Sequence, residues 1–146
     1  MGLDYGAKTV GVALSDELLL TAQPKEIIRR DRESKIRQTL ARIETLIVEN
    51  DVRLIVLGLP LNMDESAGER VRATDEFKEK LERRTGLRVV YSDERLSSVE
   101  ADEIMDRSGI KGPKRKDYID MLAANVILQE YMENHRGELA ALMEER

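Results

Sequence analysis

Apolar and polar positions alternate through the first thirty residues of the chain and then fall into helical spacing. Leu3 and Tyr5 flank Asp4, and Thr9, Val10, Val12 and Leu14 form a β-branched, apolar run. Two short strands are therefore predicted on either side of Gly6-Ala7-Lys8, where Gly6 can take the positive φ that a tight reversal needs. A further apolar run at residues 18–22 is interrupted by Pro24, and residues 25–29 continue it as a bent edge strand. Three successive short strands make an antiparallel meander.

Beyond them the period changes. Ile36, Leu40, Ile43 and Ile47 recur at helical spacing up to about Glu49, with Asp31 or Ser34 available as the cap and Asn50-Asp51 as the stop. Leu54-Ile55-Val56-Leu57 is a continuous apolar run, as expected of a strand buried on both faces. A helix leading into such a strand implies a crossover and a parallel pairing. Residues 58–68 form a loop at that strand's carboxyl end, where open sheets collect ligand sites, although an ordinary loop is the plainer reading. A second helix over residues 69–84 carries Val71, Thr74, Phe77 and Leu81 on one side and ends at Thr85-Gly86. The last strand, residues 87–91, places Glu94 just past its end. A short helix then runs from Ser97 or Ser98 to Ser108, with Glu100 or Glu103 placed for a capping box. The final helix covers residues 116–134, with Ala123, Ala124, Ile127, Leu128 and Tyr131 as its apolar stripe.

Composition narrows the class. A chain of 146 residues suits one domain, read here as residues 1–135 followed by a charged helical extension or tail at residues 136–146. Apolar residues at 41% indicate a globular chain, and the absence of Cys removes disulfides and thiolate metal sites, which suits a reducing cytosol. No apolar run approaches the ~20 residues of a bilayer span and no signal peptide opens the chain, so a soluble cytoplasmic protein without membrane partners is expected. The net charge of −5 argues against broad attraction to polyanions, so nucleic-acid binding has to come from local basic clusters or bound cations. One such cluster is Lys111, Lys114, Arg115 and Lys116. The lone His135 sits in a polar tail, which leaves no basis for a histidine-centred triad.

Two acids stand where propensity does not put them. Asp4 lies inside a strand, either as a rigidly mounted ligand or as a cap on the adjoining turn. Asp120 heads the apolar stripe of the final helix, where a carboxylate is costly unless a cation or donors receive it. Glu94, at the end of the last strand, joins them if the first and last strands lie close together. Clustered carboxylates repel unless bridged, and an oxygen-only donor set selects Mg²⁺ or Mn²⁺. Two such ions ~3.5–4 Å apart support phosphodiester cleavage.

These residues resemble the YqgF/RuvX family of Holliday-junction-resolvase-like nucleases, which have the ribonuclease H-like fold. The resemblance runs through Gly2-Leu3-Asp4-Tyr5-Gly6 with Lys8, Gly11-Val12-Ala13, Ser15-Asp16, Gly58-Leu59-Pro60, Asn62-Met63-Asp64 and Gly68. It continues through Asp93-Glu94-Arg95-Leu96-Ser97, Glu100-Ala101, Lys114-Arg115-Lys116 and Ile119-Asp120 with Ala123-Ala124, and so spans nearly the whole chain. It implies an α/β fold with a five-stranded mixed sheet flanked by helices, and Asp4, Glu94 and Asp120 as catalytic, metal-binding acids. It also implies maturation of the 5′ end of the small-subunit (pre-16S) rRNA precursor or, on an older inference, resolution of Holliday junctions in branched DNA. Lys8, Arg95, Lys114, Arg115 and Lys116 are then the expected phosphate contacts. Asp117 is a subordinate fourth acid, approached from the opposite direction along the helix from that usual in related resolvases. Only three residues precede Asp4, which points to a shortened or misassigned start.

Two other classes compete. Asp4-x-Gly6 followed by Gly11-Val12 also resembles the first phosphate loop of actin-like ATPases and sugar kinases, but 146 residues leave no room for the second lobe those enzymes need. A non-catalytic nucleic-acid-binding factor in RNA processing or transcription would retain the same surface without cutting. Either a monomer or a homodimer is compatible with the sequence.

Overall fold

The computed structural model describes residues 1–59, 67–92, 98–112 and 114–144. Strands β1 (Gly2–Tyr5), β2 (Thr9–Ser15) and β3 (Ala22–Arg29) form the antiparallel meander. Strands β4 (Leu54–Gly58) and β5 (Arg88–Ser92) add in parallel beyond β1, so one five-stranded sheet has the order β3-β2-β1-β4-β5. The helices are α1 (Arg37–Glu49), α2 (Ala67–Thr85), α3 (Ser98–Ser108), α4 (Lys114–Asn134) and α5 (Arg136–Glu144). The expected three antiparallel and two parallel strands are therefore present.

Strand alternation divides the core in two. Leu3, Val10, Val12, Ile55, Leu57 and Val89 point to one face, where they meet Leu40, Ile43 and Leu46 of α1 and Phe77 and Leu81 of α2. Ala13 and Val56 point to the other face and pack on Ala124, Ile127, Leu128 and Tyr131 of α4 and on Leu139 of α5. With both faces covered, β4 needs apolar side chains on each, which explains its unbroken run.

The register sets up the site. Tyr5 pairs with Val10, Thr9 with Arg29 and Gly58 with Ser92, so β1, β3, β4 and β5 all end at the edge where β2 begins. Helix α4 lies unusually close to the strands. A Cβ on Gly2 would stand 2.7 Å from Leu128 Cβ, and one on Gly58 would stand 2.6 Å from Ile127 Cδ1.

Four local expectations change, the first being that the reversal after β1 is made without a positive φ at Gly6. Residues 18–20 form a turn rather than a strand, because Asp16 Oδ1 accepts from the amides of Leu20 (2.7 Å) and Thr21 (3.2 Å), leaving Leu18 and Leu20 exposed. Strand β3 runs unbroken through Pro24, which the ladder tolerates because β3 is an edge strand and its register with β2 shifts between Val12 and Ala13. Helix α1 starts at Arg37 with Ile36 at the cap position and no side-chain cap, so neither Asp31 nor Ser34 serves. Glu33 is instead engaged by Tyr5 and Arg70, and these tertiary contacts hold residues 31–36 outside the helix.

Candidate active site

Asp4 is mounted near the end of the central strand, paired with Gly11 on β2. Partners in an antiparallel pair present the same face, so the Asp4 side chain and the bare face of Gly11 both look towards α4. A Cβ on Gly11 would overlap the backbone carbonyl of Asp120. The missing side chain therefore lets the α4 backbone settle on β2 at the level of Asp4. Thr9 Oγ1 donates to Asp120 Oδ2 at 3.2 Å, tying the start of β2 to the same carboxylate. Asp4 and Asp120, 116 positions apart in sequence, thus become electrostatic neighbours.

The electrostatics record that closeness. Asp4 is only partly exposed, and its carboxyl pKa is pushed up from the ordinary 3.8 to about 6. Burial is the largest cause, the Asp120 carboxylate adds to it, and the Arg70 guanidinium opposes it.

Arg70, in the first turns of α2, belongs to a second cluster behind the hairpin. Its Nη1 pairs with Glu33 Oε1 at 2.8 Å, and Nη2 reaches the carbonyl of Tyr5 at 3.5 Å. Tyr5 OH donates to the same Glu33 oxygen at 3.1 Å, and its ring stacks on Phe77 with centroids 4.1 Å apart. Arg30 lies over the Tyr5 ring at 4.9 Å and donates from Nη2 to the carbonyl of Gly6 at 2.7 Å. Two guanidinium groups thus brace the turn that follows Asp4.

The other expected site residues separate. Lys8 is exposed in the β1–β2 turn, on the same edge. Arg115 is tied to α3, pairing with Asp102 at 2.8 Å and Asp106 at 3.4 Å. Asp117 forms an ion pair with Arg29 of β3. Lys114 and Lys116 belong to the first turn of α4. Glu94 and Arg95 lie outside the described residues, as does most of the 58–68 loop.

Sequence reasoning overlooked Arg70, Glu33, Thr9 and Arg30. For Arg70 a signal existed: it stands four residues before Thr74 and seven before Phe77, so it heads the buried stripe of α2 just as Asp120 heads that of α4. Glu33 and Thr9 carried none, since their roles arise only when distant segments meet.

Asp4 and Asp120 suit a hard divalent cation. Both offer only carboxylate oxygens, and the Asp120 charge adds to the burial that raises the Asp4 pKa. Among the described residues they are a pair, with no cluster of three acids or histidines able to hold a metal.

Residues 1–134 match the RuvX family, described as Holliday junction resolvase. A relative from Agathobacter rectalis is 56% identical over 133 residues, covering 91% of this chain and 93% of its own length. One from Lactobacillus johnsonii is 46% identical over 140 residues, covering 94% of this chain and 97% of its own. Both bear the name "Putative pre-16S rRNA nuclease". Among solved structures, Thermus thermophilus RuvC in complex with a Holliday junction substrate superposes with a TM-score of 0.60 at 14% identity, covering 93% of this chain and 94% of that one. At that identity the likeness concerns the fold, which is ribonuclease H-like.

Proposed function

The chain belongs to the RuvX family, described as Holliday junction resolvase, and from that membership we propose that it is a divalent-metal-dependent endonuclease hydrolysing phosphodiester bonds in the 5′ maturation of the 16S rRNA precursor. The observation that carries the reading is the Asp4–Asp120 pair, two acids brought together at the edge where four strands end. Asp4, Asp120 and Glu94 would hold Mg²⁺ or Mn²⁺, which would supply Lewis acidity for water activation when bound.

The chain's own residues do the positioning. Asp4, on the central strand, is the ligand whose place varies least, because β1 is paired on both sides. Thr9 holds Asp120 in orientation through its 3.2 Å hydrogen bond. Lys8, exposed in the adjoining turn, brings cationic charge suited to a phosphate flanking the cut, while Arg70, held behind the hairpin by Glu33, favours the ionised form of Asp4. Arg95, Lys114 and Lys116 are the further candidate phosphate contacts, Arg115 contributing less because Asp102 and Asp106 hold it, and an acidic chain thereby meets a polyanion through local charge. Among the described residues no helix is long and apolar enough to cross a membrane, and the reading includes action in the cytoplasm, as a monomer or homodimer.

The test is cleavage of a pre-16S rRNA fragment and of a four-way DNA junction with Mg²⁺ or Mn²⁺, wild type beside Asp4→Asn. Cutting of the RNA that disappears in the variant supports the proposal. Preferential cutting of the junction transfers the role to branched DNA, the alternative favoured by the family description. Binding without cutting under either metal replaces it with a non-catalytic role.

A further inference from the structure

Beside the hairpin that carries Asp4 lies a cavity of about 690 Å³, formed where β3 ends and α1 begins. Arg29, Arg30, Lys35 and Arg37 line it, against the single acid Asp31, in a chain whose net charge is −5. We propose that this cavity is a phosphate subsite, holding the sugar–phosphate backbone of the nucleic-acid substrate to one side of the scissile bond. The inference rests on the nuclease reading for its substrate class.

Three observations converge on an anion. Helix α1 opens with no side-chain cap and no acidic residue in its first turn, and its first residue is Arg37. The positive end of a helix ordinarily gathers acids or capping oxygens, so cations crowded there leave an unmet demand for negative charge. Arg30, at the inner wall, is only 9% exposed, and its Nε and Nη1 have no hydrogen-bond partner although Nη2 is spent on Gly6. That guanidinium also lies over the Tyr5 ring, so its charge is held in the wall behind the cavity, where it adds to the positive potential. Arg29 is spent on Asp117, but the other two exposed cations are incompletely met by protein: Lys35 reaches Asp31 only at 3.7 Å, and Arg37 makes no ion pair among the described residues.

Placement connects the cavity to the acids. The amide of Arg30 donates to the carbonyl of Lys8 at 2.9 Å, and its guanidinium holds the carbonyl of Gly6, so only the β1–β2 turn separates the cavity from Asp4. Under the proposal, a phosphate chain passing Asp4 rounds the turn at Lys8 to reach Lys35 and Arg37 on the α1 side.

The test uses the full chain and two variants of equal charge change: Lys35→Gln/Arg37→Gln at the cavity, and Arg83→Gln/Arg88→Gln at the opposite edge of the sheet. Binding of the precursor fragment and of the four-way junction is followed against salt with Ca²⁺, and cleavage is followed separately with Mg²⁺. The cavity variant is expected to lose about tenfold in affinity at low salt. Its log affinity–log salt slope should become shallower by roughly 1–2, as for loss of one or two phosphate contacts, while the opposite-edge variant stays near wild type. Equal behaviour of the two variants overturns the subsite, as does failure of the wild type to bind either nucleic acid. Loss of binding confined to the cavity variant, in a protein that cuts nothing, supports the subsite and overturns the nuclease reading instead.

Discussion

Gly11 and Asp120 meet backbone to backbone: the Cβ that Gly11 lacks would occupy the space of the Asp120 carbonyl oxygen. Because Gly11 is also the cross-strand partner of Asp4, one missing side chain decides how near the two acids stand. Gly11→Ala is therefore expected to lift α4 from β2, at a cost of about 1–3 kcal/mol in overpacking. Cleavage should fall further than that loss of stability explains. Thermal denaturation beside metal-dependent cutting separates the two effects. Gly137→Ala in α5, where a Cβ meets nothing within 4 Å, serves as the control and should leave cutting unchanged while stability stays level or rises slightly.

Asp4→Asn should abolish cutting and yet stabilise the metal-free protein at neutral pH. The folded Asp4 carboxyl titrates at about 6 against 3.8 when unfolded, so between those values the native state holds its proton more tightly. Metal-free stability from this group is therefore greatest below about pH 4 and declines as pH rises through about 6, by on the order of 2–3 kcal/mol. Asn does not titrate, so the stability gap between variant and wild type should widen over that window and then level off. Urea denaturation between pH 4 and 8 without metal reads it directly. A gap independent of pH would remove the electrostatic account.

Much of this architecture was legible from side-chain period alone. The meander, the crossover into residues 54–57 and the apolar stripe of α4 all follow from alternation or helical spacing, because each element has to bury a continuous face. Asp4 and Asp120 stood out for the same reason, as charges on positions whose neighbours are buried. What escaped notice depends on a side chain capturing backbone or charge, once within a turn and once between segments far apart in the chain. Residues 18–20 have strand-like composition, but the Asp16 carboxylate captures the amides of Leu20 and Thr21 and closes a turn. Asp31 and Ser34 have the chemistry of helix caps, yet Glu33 is drawn towards Tyr5 and Arg70 and the helix begins only at Arg37. The first was open to local turn chemistry, which the apolar run at residues 18–22 outweighed, whereas the second turns on tertiary geometry that no local pattern encodes.

Glu33→Gln tests whether the bracing behind the hairpin matters to the site. One oxygen of Glu33 receives both Arg70 Nη1 and Tyr5 OH, and the pair is partly solvent-exposed, so the stability cost should be small, about 0.2–1 kcal/mol. Activity should suffer more. An untethered Arg70 no longer offsets the burial of Asp4, so the acid limb of the cleavage–pH profile should move to higher pH. Arg70→Gln should produce the same displacement. If kcat and the pH profile both remain at wild-type values in Glu33→Gln, the cluster is structural support only.

Arg115 makes the sharpest contrast with the cations of the α1 cavity. Its guanidinium is shared between Asp102 and Asp106 of α3 and also reaches the carbonyl of Ile110, so its charge is already met by protein oxygens. A phosphate would have to compete with both carboxylates before gaining that contact. Arg115→Gln should accordingly weaken nucleic-acid binding less than Lys35→Gln/Arg37→Gln does, although two charges are removed there and one here, so the comparison is made per charge from the salt slopes. Its larger effect should fall on the joint between α3 and α4, seen as faster amide exchange in residues 102–110. The complementary variant Asp102→Asn/Asp106→Asn releases the guanidinium and removes two repelling acids, so binding should tighten several-fold at low salt. Adding Arg115→Gln to that background should then reverse part of the gain. If it reverses none, the gain came from the lost acids alone, and Arg115 serves only to fasten α3 to the start of α4.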